Sequence, residues 1–460
     1  MFNMKIEEVY RDSEKIKITT TGAEFLIPKI SKGKIICSQR LGKERVSCTL
    51  NLSTSLKDLL MEYKDEEKVI FYKTSPPIEG RCMIRVNSDS LLTIESSRPL
   101  KITYEGHFIP DYSAFVDSNF IYIDEYGGVG GYTLSSCPVS SGESFSRKGW
   151  KVTVLLKSED KLLTSIFPPR EYNYSKSIKD EIVHYDYVRK PHPSEEEISK
   201  WSKWGNILVL HSSIWQGRYL RSGKIKERKN AVDSYTDAVW TSYKHIPLNK
   251  EKLLETIQLA HKYKMKIIPY IGGGEGISCR WEEFIDEMKR VLKEYSFDGL
   301  YFDGVPRNIE EAYWIMKNTR KLLGSKILYV HQPSPIIGRS TTYSDNYFVY
   351  CPFVDTYADY ILRAEHQDIF DLNYLHYTVS GFNISNSVGY LCIYDYTVEE
   401  LKSVIPDLLK IHVHLPYFTG YWTSAKHLIK GRDFSDRQEE KLQELMHKEY
   451  FPVLRKIKDF

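Results

Sequence analysis

Seven short runs spread between residues 206 and 414 constrain this chain more than any other feature. Each is apolar, β-branched or aromatic and stops on a polar side chain: Ile207–His211, Lys266–Tyr270, Gly299–Asp303, Lys326–His331, Val354–Asp359, Val388–Asp395 and His412–His414. Helical patterns separate them. Behind the candidate cap Asn249, Lys250–Lys262 brings Leu253, Leu254, Ile257 and Ala260 to one face. Trp281–Tyr295 does the same with Phe284, Ile285, Met288, Val291 and Leu292, and Val398–Leu409 and Arg437–Lys456 continue the pattern. Strands alternating with helices imply a parallel sheet. If such a sheet closes into a (β/α)8 TIM-type barrel, the C-terminal strand ends carry the chemistry and the opposite rim carries stability. An eighth strand is then needed and is sought around Asp237–Tyr243.

The chain before residue 190 has a different character. Between Lys15 and Leu163, Ile and Val alternate with Lys, Thr and Ser in ten runs: Lys15–Thr20, Glu24–Pro28, Lys34–Ser38, Arg45–Leu52, Lys68–Lys73, Arg81–Val86, Ser90–Ser96, Leu100–Glu105, Phe120–Asp124 and Trp150–Lys157. Turn residues such as Gly33, Pro76-Pro77 and Gly127-Gly128 divide them, which predicts an antiparallel β-sandwich. Only Ser55–Tyr63 reads as helical there. Pro168-Pro169, the polar Lys176–Glu181 and Pro191-His192-Pro193 read as linker, and Ser194-Glu-Glu-Glu-Ile opens a capped helix. The expected division is residues 1–190 for the β-sandwich with its linker and 191–460 for the barrel.

Alternate residues of a strand share a face. Tyr301 and Asp303 therefore point one way, as do Tyr329 and His331, Val209 and His211, and Tyr357 and Asp359. With these faces inward, Tyr301, Tyr329 and Tyr357 make one layer, and Asp303, His331, Asp359 and His211 make the mouth above it. Carboxylates gathered over a packed core suit glycosidic cleavage, in which one carboxylate attacks or stabilises the anomeric carbon and another protonates the leaving oxygen. Asp303 is the candidate nucleophile or stabiliser. Glu365, in the loop after Asp359 beside Leu362 and Ala364, is the candidate acid/base, with Glu275 of Gly272-Gly-Gly-Glu-Gly as its competitor. Expected substrate contacts are His211, Trp215, Arg218, Tyr270, Glu275, Tyr301, Arg307, His331, Gln332, Asp359, Asp395, His414 and Tyr417. Asp298, at the start of its strand, is expected to be structural. His331, His412 and His414 lack the paired spacing of a metal site, so no metal or other cofactor is expected.

Composition narrows the function classes. The 64 basic and 61 acidic residues are interspersed and leave a net charge of +3, which carries no nucleic-acid footprint. No apolar run approaches the length of a membrane span, and the start has no apolar leader segment, so a cytoplasmic location is expected. Seven cysteines without C-x-x-C spacing indicate neither zinc nor a disulfide framework. The 34 tyrosines and 8 tryptophans suit stacking on sugar faces. A carbohydrate is the expected partner.

Phe297-Asp-Gly-Leu-Tyr-Phe-Asp-Gly304 resembles glycoside-hydrolase-type barrels, most nearly the α-galactosidase-related group, which carries a β-sandwich before the barrel. The resemblance implies a glycosidase with Asp303 as the nucleophile that ends the fourth strand. Ala358-Asp-Tyr-Ile-Leu-Arg-Ala-Glu365 is similar to an A-D-x-x-L-x-x-E pattern of such barrels, which implies Glu365 as acid/base. Tyr301 stands where that group has a lysine. That departure motivates a second expectation, a non-catalytic carbohydrate-binding or scaffold protein that keeps the barrel.

Overall fold

The computed structural model describes residues 4–456 except 30, 42–45, 65–66, 75–79, 111, 117–118, 125–126, 134–140, 147–148, 172, 188–189, 204, 220–224, 228–243, 273–280, 306–308, 333–337, 340–346, 349–351, 364–371, 373–374, 377–387, 392–396 and 420–435. Fifteen antiparallel strands between Ile6 and Phe167 form one hydrogen-bonded sheet. Their side chains alternate as the sequence does. In Gly149–Leu156, Trp150, Val152, Val154 and Leu156 are buried while Lys151 and Leu155 are exposed, and in Leu100–Gly106 the buried Leu100, Ile102 and Tyr104 alternate with exposed Lys101 and half-buried Thr103 and Glu105. The buried faces share one apolar core that includes Ile18, Phe25, Leu50, Ile84, Ile94, Tyr104, Tyr122 and Trp150.

Each of the ten expected strands overlaps an observed one. The helical reading of Ser55–Tyr63 is corrected, because this stretch is the second half of one long strand, Ser47–Lys64. Cys48–Leu52 of that strand pairs with Leu100–Gly106, whereas Leu56–Lys64 pairs with Glu67–Thr74, so the sheet branches within it. Ladder hydrogen bonds outweigh the local helical spacing. Gly127–Thr133 is a strand the sequence disguises as a turn. A Cβ on Gly131 would lie 2.4 Å from the Phe120 ring, so this strand needs glycine to admit the aromatic packing.

Among the described residues the second part of the chain contains eight parallel strands: β1 (Ile182–Tyr185), β2 (Ile207–Leu210), β3 (Lys266–Ile271), β4 (Gly299–Asp303), β5 (Ile327–His331), β6 (Tyr360–Arg363), β7 (Val388–Leu391) and β8 (Tyr417–Thr419). Their order is β7-β6-β5-β4-β3-β2-β1-β8. Between them run α1 (Glu195–Trp201), α2 (Lys250–Lys262), α3 (Trp281–Tyr295), α4 (Ile309–Leu323), α5 (Pro352–Tyr357) and α6 (Val398–Lys410), with α7 (Asp436–Leu445) after β8. Ser194 and Glu197 form the expected capping box on α1, and the Lys252 backbone N–H donates to the side chain of Asn249. Among the described residues no ladder joins β7 to β8. A single parallel bridge spans this seam, where the His414 N–H donates to Gly389 O at 3.1 Å.

Three strand readings need correction. The eighth strand is β1, inside the stretch read as linker, so the parallel sheet begins before residue 190; Asp237–Tyr243 lies outside the described residues. Ile182-Val-His-Tyr185 is too short and too closely flanked by charge to show a period. Val354–Asp359 is the end of α5 and the turn into β6, since Pro352 suits a first helical turn and Val354 and Tyr357 are buried. The last strand is β8, beyond His412–His414.

The strand starts are tied together in pairs. Asn206 Oδ1 before β2 accepts from Glu181 N–H before β1 at 2.8 Å, Asp298 Oδ2 before β4 accepts from Ile267 N–H of β3 at 2.9 Å, and Asp359 Oδ2 before β6 accepts from Leu328 N–H of β5 at 2.9 Å. The antiparallel sheet packs on α4 and α5. Asn87 Nδ2 donates to Tyr313 Oη at 2.7 Å, Tyr357 Oη donates to Asp89, and Arg170 donates to Thr356 O and Ala358 O at 2.7 and 2.8 Å. Among the described residues no helix is long and apolar enough to cross a membrane.

Candidate active site

Parallel register places tyrosines side by side across the sheet. Tyr270 of β3 pairs with Tyr301 of β4, Tyr301 with Tyr329 of β5, and Tyr329 with Tyr360 of β6. Their rings pack 4.9–6.2 Å apart, and Tyr390 of β7 lies 5.8 Å from Tyr329. All five are buried. Centroid spacings of this size are those of favourable edge and offset ring contacts. The rings lie against one another on one face of the sheet and form a floor beneath its carboxyl edge.

Above that floor, at the carboxyl ends of the strands, polar side chains converge. Asp303 ends β4 and His331 ends β5 as register partners, with His331 Nδ1 2.7 Å from Asp303 Oδ1. Tyr270 Oη donates to Asp303 Oδ2 at 2.5 Å. Burial pushes the Asp303 carboxyl up, but the bond and charge of His331, the Tyr270 hydroxyl and the charge of His211 bring it to a net position below the usual carboxylate value. Its side chain remains 20% exposed. This is an ionised group reachable from the mouth, with each oxygen already oriented.

A second set of groups adjoins it. His184 of β1 sits under the mouth, fully buried, with Nδ1 2.8 Å from His211 Nε2 and Nε2 3.1 Å from Tyr329 Oη. His211 Nδ1 lies 3.6 Å from Oδ2 of the buried Asp186, which follows β1. Burial first, then the charges of His211 and His331, hold His184 well below the ordinary imidazole value, so its ring is neutral. It stacks on Phe418 of β8 at 4.4 Å and meets Tyr301 edge-on at 5.2 Å. Sequence reading missed His184 and Asp186 because it missed β1. The His-Tyr-Asp sequence at 184–186 ending a short apolar run was the available signal.

Of the residues expected at this site, the structure gathers His211, Tyr270, Tyr301, Asp303 and His331. Gln332 follows His331, is buried, and donates its backbone N–H to Leu362 O at 2.7 Å. Tyr417 is buried at the start of β8. Trp215 is 1% exposed and donates Nε1–H to Tyr270 O at 2.7 Å, so it is tied to the β3 backbone and presents no open face for stacking. Arg218 lies in the strand Gly217–Tyr219, which pairs with Ile225–Glu227. Glu275, Arg307, Glu365 and Asp395 lie outside the described residues.

Three expectations are overturned. Asp359 lies at the start of β6, where it receives Leu328 N–H and the Arg320 guanidinium at 2.8 Å, so it is a structural group of the far rim like Asp298. His414 also precedes its strand; it stacks on Tyr390 at 4.3 Å, and burial pushes its ring down to about 3. Tyr357 leaves the inner layer with the change of α5 from strand to helix and bonds Asp89. Among the described residues no group of three or more His, Cys, Asp or Glu could hold a metal ion.

No protein-family model matches the chain, and no curated protein matches it. Solved structures do. It is similar to a noncanonic maltogenic α-amylase from Thermotoga neapolitana, at 12% identity over 59% of this chain and 76% of that one, with a TM-score of 0.37. An endo-β-N-acetylglucosaminidase from Cordyceps militaris matches at 12% identity over 61% and 95%, with a TM-score of 0.37. DHDPS from Cyanidioschyzon merolae matches at 10% over 58% and 79%, with a TM-score of 0.30. Likeness this slight carries no argument about activity.

Proposed function

We propose that this chain cleaves glycosidic bonds at the carboxyl ends of its parallel strands, with Asp303 as nucleophile or oxocarbenium stabiliser. The observation that carries this reading is the state of Asp303: a carboxylate held ionised, oriented through both oxygens and open to the mouth above a floor of tyrosine rings. A group of this kind can meet positive charge developing at an anomeric carbon. Glu365 completes the pair as general acid/base; it follows Arg363, the last residue of β6, by a short step along the chain. In this reading the parallel sheet closes as a (β/α)8 barrel across the Tyr390–His414 bridge, the antiparallel strands fold over as a sandwich, and the chain is kin to the α-galactosidase-related enzymes.

A second reading has an observation of its own. Tyr301 occupies the place of that group's lysine, and both Asp303 oxygens are already engaged, which suits a site that binds sugar without cleaving it. D303N separates the two. Under the first reading it lowers kcat on any cleaved aryl glycoside by about 1,000-fold or more while the protein stays folded. Sugar binding by calorimetry with no turnover in either protein leaves the second reading.

A further inference from the structure

Tyr270 holds Asp303 from one side, so whatever fixes Tyr270 bears on the site. The β3 backbone shows what does. Lys266 N–H donates to Asn206 O on the β2 side, and Ile267 O accepts from Asp298 N–H on the β4 side. Backbone groups alternate sides along a strand of a parallel ladder, so those of Lys266, Ile268 and Tyr270 face β2. β2 ends at Leu210, the register partner of Pro269, and the chain then enters the short helical turn Ser212–Ile214. Tyr270 O therefore lies past the last rung of that ladder. Trp215 takes the place of a ladder donor there, with its buried Nε1–H 2.7 Å from Tyr270 O by donor–acceptor distance.

The indole is fixed in turn from α3. Trp215 forms a bridge with Pro247 in the segment before α2, where Gln216 N–H donates to Ile246 O and Leu248 N–H to Ile214 O, each at 2.8 Å. The fully buried His245 ring meets the indole edge-on at 5.3 Å. His245 N–H donates to Glu287 Oε1 of α3 at 2.6 Å, and Arg290 Nη2 of the same helix donates to His245 O at 2.8 Å. Arg290 also binds both oxygens of Glu287, at 2.7 and 2.9 Å. Burial alone would raise the Glu287 carboxyl, but Arg290 and the His245 N–H bring it below its usual value, so this support is charged. A line of contacts thus runs from α3 through His245, Trp215 and Tyr270 to Asp303.

We propose that Trp215 is a positioning residue of this site: the hydrogen bond from its indole to the β3 backbone, braced by α3, sets where the Tyr270 hydroxyl meets Asp303. Trp215 itself touches none of the reacting atoms. Loss of the indole donor releases the end of β3 and weakens the Tyr270 bond to Asp303 Oδ2. The consequence for catalysis rests on the glycosidase reading; the coupling of Trp215 to Asp303 does not.

The test replaces Trp215 in the full-length protein by benzothienylalanine, in which sulfur stands in for the indole N–H and the shape is kept. W215F is the second variant, circular dichroism checks both folds, and the benzothienyl protein decides where W215F does not fold. Asp303 is followed by 13C NMR of labelled aspartate carboxyl groups, its signal identified by its absence in D303N. The groups facing Asp303 are Tyr270 of β3, His331 of β5 and His211 after β2, and neither variant changes them. In both variants Asp303 takes up its proton at higher pH than in the wild type, because a donor to the ionised form is weakened. In a Y270F background the Trp215 replacement adds no further rise, since the link is already cut. A titration that the benzothienyl variant leaves in place overturns the proposal, as does an added rise in the Y270F background. On a cleaved glycoside, kcat falls about 10- to 100-fold with KM unchanged, a split that a general loss of folding would not produce. A moved titration with no turnover by the wild type sinks the glycosidase reading alone; turnover with an unmoved titration sinks the positioning role alone.

Discussion

Asp303 is defined less by its own chemistry than by its two hydrogen-bond partners. The carboxyl lies below its ordinary value although burial alone would raise it, so His331 and Tyr270 are what keep it charged. The sign follows: the ionised form contributes stability above the ordinary carboxylate range, and that contribution is lost as pH falls through the depressed folded value. Y270F removes one donor and leaves the ring in place. The acid limb of any measured activity should move to higher pH in this variant, and acid unfolding should begin at higher pH; both are read from rate and circular-dichroism titrations. His331 was legible in the sequence as a strand-ending histidine. Its alignment with Asp303 was not, because that depends on the register of β4 against β5.

At the scale of elements, the strand starts behave as a set. Asn206, Asp298 and Asp359 precede alternate strands, and each reaches back to the start of the strand before. These side chains satisfy backbone donors where the ladders begin, which explains why Asp359 has no place at the mouth. The C-terminal segment docks at the same end, where Arg455 Nη2 lies 2.5 Å from Glu181 Oε1. Burial still dominates: it raises Glu181 from 4.5 to about 7, and the Arg455 charge offsets only part of that rise. A carboxyl raised on folding favours the fold below its ordinary value, and this contribution is lost as pH rises through about 7. Urea midpoints at pH 5 and pH 8 check the consequence. The wild type should lose more stability toward pH 8 than E181Q, whose amide does not ionise.

At the scale of the molecule, the antiparallel sheet and the parallel strands meet through a polar joint. Asp89 accepts from Tyr357 Oη and, at 3.1 Å, from Tyr313 Oη, with Lys317 Nζ 3.9 Å away. D89A strips two tyrosine hydroxyls of a buried acceptor and should cost about 2–4 kcal/mol. Calorimetry should show a lower melting temperature and separation of the two parts into distinct transitions. The sequence by itself determined the local pattern: ten antiparallel runs, the caps of α1 and α2, most of the parallel strands, and a polar residue at several strand ends. Those features are written in alternation, in 3.6-residue spacing and in cap chemistry, which neighbours along the chain decide. Tertiary structure decided the rest. Whether Asp303 and Asp359 share a rim, whether a four-residue run such as β1 is a strand, and which histidines touch depend on ladders between segments up to 234 residues apart, as in the pairing of Val183 of β1 with Tyr417 of β8. Contacts across such distances are fixed by register and burial, and no local period encodes them.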